Sequence, residues 1–391
     1  MKKTLVALAA LAATGASLAQ VTITGNLITG YQQSVTNSYL TGGSIVVGPV
    51  TSRSATQQVG ASGFGVDTAD ITITAKEDIG GGQTVQAELG LTNLVRGSAA
   101  PTEFGAGDVK LTYTNMSFGR VQLGNTYGAA VFSGIPTAGA PVINMDGKLF
   151  ELRSFSEYIN YAAPVGPVTL VLQMGESGKG AGINLGAGQS GSPTSVGQRN
   201  NMVLAYYKDG GLEGFVAGKF YDNGNSDTIF GPAKLTKDRQ YTIQAAYDLG
   251  MAKVGFGYAF TKANVGAKVN DMLVGVNVPM GSLEIGATWA QEKVSGIAGV
   301  PASTLTYAGV LPLKSFLQLA DGTATGWSLG AKYNFSKRTN LTVNYAAWTR
   351  SGYEQFEAFG AKLAKLDTSG AAEMGYGPVE TQANVLLSHS F

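Results

Sequence analysis

The sequence predicts an all-β chain of sixteen antiparallel strands closed into a barrel, and three observations predict it. Apolar residues recur at every second position from Val21 onward: Val85, Ala87, Leu89 and Leu91 share one parity, with Thr84, Gln86, Glu88 and Gly90 on the other. That is the period of a two-faced strand, not of a helix. Short turns such as Ile79–Gly82, Ser117–Gly119, Asp209–Leu212, Leu249–Met251, Pro279–Ser282 and Ser336–Thr339 alternate with long polar or Gly-rich segments, so the two kinds gather at opposite ends of a sheet. The strands so delimited are about 10 residues long and even in number, as an up-and-down barrel spanning a membrane requires.

Strands one to five are read as starting near Val21, Val66, Gln83, Asp108 and Arg120, and strand six near Arg153, after the long segment Gly128–Leu152. Strand seven starts near Pro167 and shows Val168, Leu170, Leu172 and Met174 on one parity; strands eight and nine start near Arg199 and Glu213. Strands ten to thirteen start near Asp238, Ala252, Val269 and Leu283, with outward sets Tyr241/Ile243/Ala245/Tyr247, Val254/Phe256/Tyr258/Phe260, Met272/Val274/Val276/Val278 and Leu283/Ile285/Ala287/Trp289. The last three start near Thr325, Asn340 and Glu380 and carry Trp327/Leu329/Ala331/Tyr333, Leu341/Val343/Tyr345/Ala347 and Val385/Leu387/His389/Phe391.

The apolar parity carries almost no charge, whereas the other carries Thr, Gln, Asn, Lys, Glu and Arg, so lipid outside and water inside fit the two faces. A soluble sandwich would bury the apolar parity in a core, and periodicity alone does not separate the two. Aromatic placement favours the membrane. Tyr31, Tyr127, Tyr258, Phe260 and Trp289 fall at one rim, and Tyr113, Tyr161, Tyr206, Tyr247, Tyr333 and Phe391 at the other, as two interfacial girdles.

Composition excludes other classes. With no cysteine and one histidine, His389, thiolate chemistry is impossible and neither a His-based triad nor a multi-histidine metal site is expected. Neither an enzyme activity nor a cofactor is expected. A net charge of +1 gives no footprint for nucleic acid. Residues 1–19 read as a secretory signal: Lys2 and Lys3, the apolar run Leu5–Ala13, then Ser17-Leu18-Ala19 before the cut. Removing the two lysines takes the 27 basic residues to 25 against 26 acidic. The remaining 20–391 read as one barrel domain.

Four stretches carry a resemblance to a known family. Lys76-Glu77-Asp78-Ile79-Gly80-Gly81-Gly82 and Ser117-Phe118-Gly119-Arg120-Val121-Gln122-Leu123-Gly124 are similar to turns and strands of the general porins of beta-proteobacterial outer membranes. So are Asn334-Phe335-Ser336-Lys337-Arg338-Thr339 and the end His389-Ser390-Phe391, all in the family's order. The resemblance implies a homotrimeric, passive outer-membrane channel for small hydrophilic solutes and ions, with short periplasmic turns, long extracellular loops and one loop folded into the pore. Trimer contacts are implied for the outer faces of the first and last strands and the loop near 94–107. The chain departs from the pattern at Asn125, where the family has Arg, which is expected to take a cation from beside the pore loop, and in the spacing from Arg153 to Pro164.

Chain physics leaves Gly128–Leu152 open between an outside loop and a pore-narrowing one; the resemblance implies the latter, with Asp146, Lys148 and Glu151 as its charges. Lys76, Glu88, Lys110, Arg120 and Gln122 lie on the inward parity, and Arg153 needs a bulge to join them. These charges are the expected pore lining, with a weak anion preference. Phe391, His389 and Leu387 resemble the C-terminal signal read by the barrel-assembly machinery. Gly186–Gly191 fits GxGxxG but has no following helix, and Asp222–Asp227 reads as a solvated turn more than a calcium loop. A substrate-specific channel would show an inward aromatic slide, an outer-membrane hydrolase a rim Ser-His pair, and an exported adhesin no membrane fractionation.

Overall fold

The computed structural model describes residues 20–39, 56–92, 105–128, 131–151, 154–177, 198–222, 237–263, 266–296, 306–307, 311–312, 321–349 and 379–391. The expected leader, Arg153, Gly186–Gly191 and most of Asp222–Asp227 lie outside the described residues. In chain order the strands are β1 (Gln20–Tyr39), β2 (Thr56–Gly80), β3 (Gln83–Thr92), β4 (Gly105–Asn115), β5 (Gly119–Gly128) and β6 (Ser154–Val165). They continue as β7 (Val168–Ser177), β8 (Gln198–Asp209), β9 (Leu212–Asp222), β10 (Lys237–Asp248), β11 (Lys253–Ala263) and β12 (Lys268–Met280). The last are β13 (Leu283–Ser295), β14 (Thr306–Tyr307), β15 (Leu311–Pro312), β16 (Gly322–Asn334), β17 (Thr339–Trp348) and β18 (Glu380–Ser390).

Sixteen of these form one closed antiparallel barrel in sequence order, with β18 returning to β1; the two-residue strands β14 and β15 pair only with each other. The sixteen predicted starts correspond to these sixteen strands. The main departure is β2, which begins at Thr56 and pairs with β1 from Gln20↔Lys76 to Tyr39↔Thr56, past a bulge at Ile28/Thr29.

Exposure decides between barrel and sandwich. The apolar parity is the exposed one: Leu172 is 53% accessible, Leu329 51% and Val343 49%. The buried cluster lies on the opposite face, inside the barrel, where Ala259, Ala290, Ala324 and Ala346 sit under Val131, Phe132, Ile143, Met145, Leu149 and Phe150 of the segment between β5 and β6. A sandwich would have the reverse pattern.

Both aromatic rims form. At the long-loop end Tyr31 packs on Phe64 and Phe220 on Tyr241; at the short-turn end Tyr113 packs on Phe118 and Tyr333 on Phe335. Tyr206 corrects the expected girdle. Opposite Thr169 and Phe215, it faces the lumen, where its hydroxyl donates to Glu213 Oε1 at 2.9 Å. A paired carboxylate gives a tyrosine hydroxyl a better seat than hydrocarbon does.

Candidate pore constriction

The segment 131–151 folds into the barrel and lies along the inner wall of β10–β17. Polar contacts fix its path. Ser133 donates from its N–H and Oγ to Gln244 Oε1 at 3.0 and 2.7 Å, the Ile143 N–H donates to Ser328 Oγ at 3.0 Å, and Asn277 Nδ2 donates to Gly139 O at 3.4 Å. Phe132 and Phe150 stack edge to face with ring centres 5.2 Å apart, and Leu149 is fully buried. Burial of such side chains is worth about 1.5–3 kcal/mol each.

The wall is shaped to receive it. Gly255 of β11 lies opposite Gly275 of β12, and Gly286 of β13 opposite Gly330 of β16, all on the inward parity. A Cβ at Gly255 or Gly275 would stand 2.5 Å from Pro136 O, one at Gly286 2.5 Å from Ala140 Cβ, and one at Gly330 would strike Pro141 O. The loop backbone occupies the volume these side chains would fill. Alternation signalled the strands, but glycine on the inward parity of neighbouring strands was the overlooked signal for this track.

Across the lumen stands the polar wall of β2–β6. Lys110 Nζ donates to Glu88 Oε1 at 2.7 Å and lies 3.0 Å from Asp108 Oδ2. Asp108 also accepts from Thr126 Oγ1 and from the Tyr127 N–H, both at 2.8 Å. Gln122 Nε2 donates to Thr112 Oγ1 at 2.9 Å and its Oε1 accepts from Tyr158 OH at 2.9 Å. Lys76 and Arg120 are exposed on the same inward face: Lys76 pairs with Gln86, and Arg120 with Thr114 and Ala162. Lys110 is therefore no isolated cation, because two carboxylates flank it.

Asn125 corrects a second expectation. Opposite Val109 and Glu157, it shares the outward parity of Leu123 and Tyr127, so the departure at this position removes no lumen-facing charge.

The loop charges divide. Asn144 Nδ2 donates to Asp146 Oδ2 at 2.9 Å, while Lys148 lies over the Trp348 ring at 5.8 Å. Glu151, at the loop's end, forms an ion pair with Lys237 of β10. Lys219 and Lys237 lie over the Tyr221 ring at 5.2 and 5.7 Å. Behind the loop Asp271 and Glu292 stand opposite each other and are 2% accessible each. Asp108, Lys219 and Lys237 escaped the sequence reading, since period-2 parity shows which way a residue points but not which loop or strand it meets.

At the seam, the Phe391 N–H donates to Gly25 O and the Gly25 N–H to Phe391 O, each at 3.1 Å. His389 Nδ1 lies 2.9 Å from Thr339 Oγ1, and Leu387 is 45% exposed on the outer face.

A closed sixteen-stranded barrel with apolar outside, charged inside and one loop folded on its inner wall defines the class of outer-membrane diffusion channels. The family model for the Gram-negative porins matches residues 4–355, and the chain belongs to that family. The chain is similar to a solved anion-selective porin from Comamonas acidovorans at 19% identity, with 95% of this chain and all of that chain covered and a TM-score of 0.58. It is also similar to OmpT of Vibrio cholerae in a trimer form (11% identity, 95% and 99% covered, TM-score 0.56) and to a mutant of the Rh. blastica porin (13% identity, 95% and 100% covered, TM-score 0.51). Among curated proteins no relative matches.

Proposed function

We propose that this porin is a passive, general pore for small hydrophilic solutes, weakly selective for anions, and that it catalyses nothing. One observation carries the reading: on the wall facing the folded loop both Glu88 and Asp108 are engaged by Lys110, while Lys76 and Arg120 stand exposed on the inward face, with Asp70 the further acid on the parity of Lys76. Exposed cations opposite a loop carrying Asp146 and Glu151 give a transverse field with a small positive bias at the wall. The similar Comamonas channel is anion-selective, which agrees in sign. Arg153 belongs to the same proposed lining. A substrate-specific channel has less support, since the girdle aromatics on the strands take the outward parity, while the inward Tyr158, Tyr206, Tyr221 and Trp348 are scattered over β6, β8, β9 and β17.

The same reading places the short turns in the periplasm and the long loops outside. Cleavage after Ala19 leaves a barrel beginning at Gln20, Phe391 with His389 and Leu387 addresses it to the barrel-assembly machinery, and three copies associate in outer-membrane lipid. Reversal potential across a tenfold KCl gradient tests the central claim: a small shift toward the chloride potential is expected, and a shift toward the potassium potential overturns it. Heating in SDS tests assembly, where loss of a slow-migrating oligomer to monomer is expected and a heat-insensitive monomer counts against the trimer.

A further inference from the structure

The polar inner wall carries an apolar stretch on the side away from the folded loop. On the inward parity of β6 to β9, Ala162, Val171, Leu204 and Ala217 stand side by side in one row, with Met202 a step above Leu204 and Phe215 a step below Ala217. Val171, Leu204, Phe215 and Ala217 are half-buried and keep part of their surface toward the lumen, whereas Ala259, Ala290, Ala324 and Ala346 under the loop are closed off completely. Adjacent strands lie about 4.8 Å apart, so the row of four spans roughly 14 Å. Water held against apolar surface is released when an apolar body covers it.

Cations border the stretch at both ends. Arg120 of β5, exposed, is the next residue of the row beyond Ala162, and Lys219 of β9 stands a step above Ala217, beside Met202. Among the described residues neither forms an ion pair, and Lys219 lies over the Tyr221 ring at 5.2 Å. The acid below Phe215 is already engaged: Glu213 accepts from Tyr206 OH and lies 3.4 Å from Lys208 Nζ and 3.7 Å from Lys253 Nζ. Apolar surface and available positive charge thus adjoin on one face of the lumen.

We propose that this stretch is a binding subsite for amphiphilic anions of the aromatic carboxylate class, the ring lying on Val171 and Leu204 and the carboxylate on Arg120. The proposal rests on the pore reading above and refines its solute class. Ala162, the smallest side chain between the two parts, leaves room for the long arginine to reach across it. A guanidinium meets a carboxylate through two parallel charge-assisted bonds, a geometry that a spherical halide does not share. A small hydrophilic anion gains the cation alone, and an uncharged aromatic gains the apolar row alone, so the amphiphile is held best.

Planar-bilayer recording from the intact channel in KCl tests this, with benzoate, acetate and benzyl alcohol as probes. Benzoate is expected to lower the chloride current saturably at concentrations where acetate and benzyl alcohol do not. Val171→Thr with Leu204→Asn is expected to weaken that block about fivefold, as the loss of roughly one methyl group's burial would. Should the pair of changes not yield a channel, Val171→Thr alone keeps the side-chain shape and is expected to weaken the block about twofold. Arg120→Gln is expected to bring benzoate down to the level of benzyl alcohol, and Leu386→Asn, an inward leucine of β18 across the lumen, is expected to change nothing. Equal block by acetate and benzoate, block by benzyl alcohol as strong as by benzoate, or undiminished block in the Val171 and Leu204 variants overturns the subsite. Conductance and reversal potential in KCl alone, read on each variant before a probe is added, report folding and test the porin reading separately.

Discussion

Phe391 lays its ring across Gly25, at the place where a β-carbon on that glycine would stand, while the two residues exchange a pair of backbone hydrogen bonds. The last residue of the chain thus seals the first strand on the lipid face. Gly25→Val should force the ring aside and cost about 1–3 kcal/mol as overpacking does. Heat-modifiability on SDS gels and outer-membrane yield should both fall, and Phe391→Ala in the same chain should add little to the loss. Normal assembly of Gly25→Val would show that the ring does not need this seat.

A second expectation concerns the loop's seat. Gly330→Val places methyl groups where Pro141 O lies and should drive the loop off the wall, raising single-channel conductance. Should that variant fail to fold, Gln244→Leu is the milder probe, since it removes the partner of Ser133 and its loss is worth about 1 kcal/mol. Conductance equal to wild type in both would mean the segment does not set the narrowest section.

Ion choice should follow the Lys110 triad. Glu88→Gln leaves Lys110 with Asp108 alone and should strengthen anion preference, whereas Lys110→Glu gathers three carboxylates and should reverse it. Lys337→Glu, in the turn before β17, should barely move the reversal potential, because charges farther than a Debye length of ~8 Å from the passing ion are screened. Equal effects at Lys110 and Lys337 would misplace the constriction wall.

Glu151 and Lys237 should behave as a coupled pair. Lys237 is 9% accessible, so Glu151→Gln takes the carboxylate from beside a buried ammonium and should lower stability, by at most roughly 3–5 kcal/mol as when a buried pair is broken. The double change Glu151→Leu, Lys237→Met should recover most of the thermal midpoint in detergent. Additive losses in this cycle would argue that the two residues act independently.

Strand positions were legible because a membrane barrel obliges every strand to alternate, and sixteen segments from Val21 to Phe391 did so. The inward aim of Glu88, Lys110 and Arg120 followed from the same parity. Partnership did not. That Lys110 meets two acids depends on β3 and β4 coming into register beside a bulge at Leu89/Leu91, and that Glu151 meets Lys237 depends on a loop crossing the lumen. Asn125 and Tyr206 were misread for a related reason: strand ends near rims carry polar groups on either face, so composition there says little about direction.

The wall partners described above for the loop come later in the chain than the loop itself. Ser133 waits for Gln244, 111 residues on, and Ile143 for Ser328, 185 residues on. The seat for this segment exists only once β10 through β16 stand side by side, in whatever order they form. The aperture is therefore set by the far wall and not by the loop's own neighbours, and a chain lacking that wall would hold a slack ribbon where the finished protein has a gauge.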